Sequence, residues 1–132
     1  MTLMFAVALA ATALLAAGCG SSDKPDYCSN VSDLQQSVDN LKSVPPESGA
    51  LSNLQTDLQK VQTDTNAVVS SAKQDFPSQT SALQSSVSSL STAIKQLPAS
   101  PTAQELAALV PDISSTVTAA KNLSSATKSA CD

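Results

Sequence analysis

The residues best suited to chemistry in this chain are its three cysteines, Cys19, Cys28 and Cys131. A thiol can take a lipid group, pair as a disulfide, ligate a metal or act as a nucleophile. The last two roles need helpers that the chain lacks. It contains no histidine, the commonest metal ligand and general base, so Ser–His–Asp and Cys–His arrangements are excluded. A Ser–Lys pair could be drawn from Ser70 or Ser71 with Lys73, yet nothing singles it out in so serine-rich a sequence, and a solvated helix face is the simpler reading. Asp57 and Asp64 flank Lys60 on one helical face. Lys60 and Asp64 at i, i+4 would support a helix by ~0.2–0.5 kcal/mol, which explains them better than metal binding or acid–base catalysis does. Glu105 fits a helix cap, and Asp112 an acid near a helix start. Asn30-Val31-Ser32 and Asn122-Leu123-Ser124 have the glycosylation pattern. After Gly18 the only glycines are Gly20 and Gly49, too few for a phosphate-cradling loop. The expectation is a protein that is not an enzyme and has no cofactor or metal.

The first cysteine has a distinctive setting. Leu3 to Ala17 carries no charge and is almost entirely Ala, Leu, Val, Met and Phe. It is short for a bilayer span, which needs about 20 residues, and it ends in Leu15-Ala16-Ala17-Gly18-Cys19. An apolar stretch closed by small residues is the pattern of an export signal. This end resembles the lipobox of bacterial lipoproteins. In that family the cysteine thiol receives a diacylglyceryl group and the chain is cut just before it. The resemblance implies that residues 1–18 are a signal peptide, that Cys19 is the lipidated residue, and that Ala17 and Gly18 fill the small positions. Two features depart from the family: Ala16 stands where Leu is preferred, and Met1 to Phe5 has no basic residue, which leaves a start upstream of Met1 open. Two or more acyl chains anchor stably where a single chain is marginal. The expected location is therefore the extracytoplasmic face of the cell membrane, held by lipid on Cys19. Residues 19–26, small and polar with Pro25, read as the lipidated cysteine and a flexible tether.

If lipid occupies Cys19, only Cys28 and Cys131 remain to pair. Disulfides persist in compartments beyond the inner membrane, so a Cys28–Cys131 bridge is expected, the alternative being two free thiols. A bridge closing a loop of about 100 residues stabilises by about 4.7 kcal/mol in the chain-entropy account.

Composition narrows the partners. The chain has seven basic residues, all Lys, against eleven acidic ones, for a net charge of −4. No basic patch is present for nucleic acid or for anionic head groups. Aromatic residues are nearly absent, so a small core must be built from aliphatic stripes.

Four stripes of helical period supply it in residues 27–132, a single domain by length. Ser29 to Val44 carries Val31, Leu34, Val38 and Leu41, with Ser29 as the N-cap and Pro45-Pro46 as the stop. Ala50 to Asp75 carries Leu51, Leu54, Leu58, Val61, Thr65, Val68 and Ala72, with Ser48 as a candidate cap. This unbroken three-four alternation could also serve a dimer. Ser78 to Leu97 carries Leu83, Val87, Leu90, Ile94 and Leu97. Thr102 to Ala130 opens with a capping box, Thr102-Ala103-Gln104-Glu105; it carries Leu106, Leu109, Ile113, Val117, Ala120 and Leu123, and Pro111 should kink or split it. Residues 50–97 could instead form one long helix kinked at Pro77.

A Cys28–Cys131 bridge favours four helices over three, because an even number of antiparallel rods brings both chain ends together. The expected fold is all-α, an antiparallel four-helix bundle behind an N-terminal signal and lipid anchor. The lipobox, the Ser-rich tether and the Tyr27-Cys28-Ser29 opening resemble small helical lipoproteins of actinobacterial envelopes. The favoured function is a non-catalytic envelope scaffold or adaptor, with membrane contact through Cys19, a possible envelope protein partner and no nucleic acid. The second reading is a carrier for a small apolar or lipid ligand in the bundle core. Neither reading fixes an oligomeric state.

Overall fold

The computed structural model describes residues 24–45, 47 and 49–132. The signal segment, Cys19, most of the tether and the proposed cap Ser48 lie outside the described residues. Within them the chain is helical, with no strand: α1 Tyr27–Lys42, α2 Ala50–Ala72, α3 Pro77–Lys95, α4 Ala103–Ala107 and α5 Val110–Cys131. The four long helices form a closed ring in which α1 packs on α2, α2 on α3, α3 on α5 and α5 on α1. The short α4 adds Leu106 to the core.

The periodic stripes are the residues that become buried. Leu34 and Leu41 of α1, Val61 and Val68 of α2, Leu83 and Leu90 of α3, and Leu123 of α5 are fully enclosed. Small side chains complete the packing: Ala72, Ala119 and Ala120 are buried with them. Three of the buried hydroxyls, those of Thr80, Thr116 and Thr127, donate to the carbonyl three or four residues earlier in their own helix, which removes the cost of an unpaired buried hydroxyl there.

The ends of the elements correct several expectations. The first helix begins at Tyr27, and Ser29 is not its N-cap. Asp26 holds that position without a side-chain cap bond, and Ser29 Oγ donates to the Asp26 carbonyl from inside the first turn, at 3.1 Å. Tyr27 is drawn into the helix because its ring is buried, edge-on against Phe76 with centroids 5.5 Å apart. Gly49 is the N-cap of α2 at φ 94°, a left-handed conformation that glycine adopts without penalty. The long-helix alternative for 50–97 is overturned. The α2 ladder stops at Ala72, whose carbonyl accepts from both Asp75 N and Phe76 N. Phe76 then leaves helical space at φ −131°, ψ 60°, as the residue before a proline is forced to do, and Pro77 starts α3.

The fourth stripe splits as Pro111 demands. Thr102 forms the expected capping box, its hydroxyl accepting from Glu105 N at 3.2 Å while the Glu105 carboxylate accepts from Thr102 N at 2.8 Å. That cap launches only α4. Pro111 lacks the N–H to continue the ladder and sits instead in the first turn of α5.

Candidate functional site

Cys28 and Cys131 come together at one end of the bundle as a disulfide, with Cα atoms 5.5 Å apart across a sequence separation of 103. The first turn of α1 and the last turn of α5 position them. The chain before α1 is docked against the same end. Lys24 Nζ donates to the Cys131 carbonyl at 2.6 Å, and Cys28 N donates to the Pro25 carbonyl at 3.0 Å. The segment before α1 therefore reaches the bundle beside the last turn of α5.

The polar residues singled out in the sequence do not converge on a cleft. Ser71 Oγ accepts from Asn30 Nδ2 at 3.0 Å and donates to the Ala67 carbonyl. Ser70 is exposed, and Lys73 caps the end of α2. Asn30, the first glycosylation-pattern asparagine, is thus committed to α2; Asn122 is exposed. Asp64 is not simply a solvated partner of Lys60. Its carboxylate accepts from Ser37 Oγ, a hydroxyl buried on α1. Among the described residues no group of three or more His, Cys, Asp or Glu could hold a metal ion, and no helix is long and apolar enough to cross a membrane.

Periodicity could not reveal an apolar opening that forms where the elements meet. It is a groove of about 450 Å³ between the end of α1, the start of α2, α4 and the first half of α5. Leu54, Leu106 and Val117 form its buried floor. Ile113 and Val110 form one wall, and Val110 is the exposed large hydrophobic of the described residues, at 57%. Lys42 and Lys121 lie on the rim, and no carboxylate lines the groove. α1 rises 1.5 Å per residue, so this end lies about 21 Å from Cys28. This apolar room is therefore at the end of the bundle away from the disulfide. The signal that could have located it is the conjunction of Pro111, which splits α4 from α5, with Val110, an apolar residue off the α5 stripe.

No family model, curated protein or solved structure matches the chain.

Proposed function

We propose that this chain is an exported, lipid-anchored, non-catalytic adaptor of the bacterial envelope, built as an antiparallel four-helix bundle. Contact order along the helices supports the antiparallel reading. Asn30 near the start of α1 meets Ser71 near the end of α2, while Ser37, farther along, meets Asp64, farther back. Cys28 at the start of α1 meets Cys131 at the end of α5.

The observation that carries the functional reading is the disulfide. It fits an oxidising compartment, and it stands a few residues after the cysteine that resembles a lipobox acceptor. Lipid on Cys19 would hold the bundle by its bridged end and leave the opposite end facing away from the membrane. The non-catalytic reading draws support from the absence of histidine and from the commitment of Ser71, Asn30 and Asp64 to helix–helix hydrogen bonds.

The test is fractionation of bacteria expressing the full chain or Cys19→Ser, followed by cross-linking in intact cells. The adaptor reading expects the parent protein in the membrane fraction, release or retention as an uncut precursor for the variant, and a discrete cross-linked partner. A parent protein found entirely in the cytoplasm would refute it.

A further inference from the structure

We infer that the groove at the end of the bundle opposite the disulfide is a binding site for a fatty acid with a single chain of about twelve carbons. The inference goes beyond the adaptor reading and does not depend on how the chain is anchored. Three observations converge on it. First, the groove measures about 450 Å³, within the 300–1,000 Å³ range of small-molecule sites. That volume suits one acyl chain and not the paired chains of a phospholipid. Second, its surface is apolar where a chain would lie: Leu54, Leu106, Ile113 and Val117 line it, and Val110 stays exposed although a side chain of its size ordinarily gains from burial. Third, Lys42 from α1 and Lys121 from α5 line the groove and no carboxylate does, Asp39 lining the adjoining depression with Lys121, so an anionic head is favoured over a cationic one.

A carboxylate at the rim would accept charge-assisted hydrogen bonds from the two ammonium groups while its chain covered Val110 and Ile113. A protein partner is the weaker occupant, because a stable interface needs about 800 Å² from each side, far more than this local depression offers. The site owes its existence to the split of the last stripe. With α4 and α5 joined as one straight helix, Leu106 and Val110 would share a face one turn apart and leave no recess between them.

The experiment is calorimetric titration of the protein recovered from cells, unreduced, with laurate and with dodecyl maltoside, a neutral amphiphile of the same chain length. The expected result is one saturable laurate site per chain and much weaker binding of the maltoside. Lys42→Gln and Lys121→Gln, both at exposed positions, should each weaken laurate by about two- to fivefold, the measure of a solvent-accessible ion pair. Val110→Asp should abolish binding, with an unchanged helical circular dichroism spectrum confirming the fold. If Val110→Asp does not fold, the two lysine variants decide the matter alone. Equal affinity for laurate and the maltoside, full laurate affinity in the lysine variants, or no saturable site would each overturn the inference. So would binding of an acidic amphipathic peptide where laurate gives no heat, which would assign the groove to a protein.

Discussion

Thr65 is the one described residue whose buried side-chain oxygen has no hydrogen-bond partner. It occupies a stripe position on α2 between Val61 and Val68, 3% exposed. An unpaired buried hydroxyl costs about 1–3 kcal/mol, and valine has nearly the same shape. Thr65→Val should therefore raise stability by about 1 kcal/mol, seen as a higher urea midpoint with an unchanged slope. Asp64→Ala should do the reverse. It strands the Ser37 hydroxyl, 1% exposed, and the expected loss is about 1–3 kcal/mol; pairing it with Ser37→Ala should recover part of that loss, because both partners are then gone. These two neighbouring residues also mark how far sequence reading reaches. Thr65 was legible as a stripe position because period alone places it inward. The tie from Ser37 to Asp64 was not, because it joins separate helices and nothing in either segment shows which partner it faces.

Local chemistry set the boundaries of the elements more sharply than apolar period did. The capping box at Thr102 to Glu105 was legible to the residue, since both of its hydrogen bonds are made within four residues. Thr102→Ala should destabilise by about 1 kcal/mol, read by thermal unfolding, and should loosen α4 before it touches α5. The stop at Ala72 and restart at Pro77 were legible only as a doubt, because the apolar stripe runs on through Phe76 to Thr80. Proline geometry decided it, with Phe76 driven out of helical space before Pro77. Gly49 is a further case. A Cβ there would meet nothing within 4 Å, so any cost of Gly49→Ala is conformational. That cost is about 1–2 kcal/mol for the left-handed backbone it must hold, measurable as a fall in unfolding free energy. Ser29 misled for a physical reason: burial of Tyr27 lengthened α1 past the residue with the best capping chemistry.

At the scale of the whole molecule the fold is a ring of four long helices fastened at one end and grooved at the other. Fastening matters because the core is aliphatic and small. Removal of the bridge by Cys28→Ala with Cys131→Ala should lower stability by about 4–5 kcal/mol by loop entropy, a large part of the 5–15 kcal/mol typical of a domain. The four long helices and the Cys28–Cys131 pair were legible together, since an even number of antiparallel rods would bring these two cysteines to the same end. The groove was not, because it arises from the meeting of four elements. Under the proposed function the chain is exported, cut before Cys19, lipidated there and closed between Cys28 and Cys131. Intact-mass spectrometry of the unreduced protein, taken from bacterial membranes, tests it in one spectrum. The expected mass is that of residues 19–132 plus an acylated glyceryl group, two hydrogens lighter than the reduced chain. A chain that retains Met1 to Gly18, or carries no lipid, or gains thiol label at Cys28 and Cys131 without reductant, would contradict it.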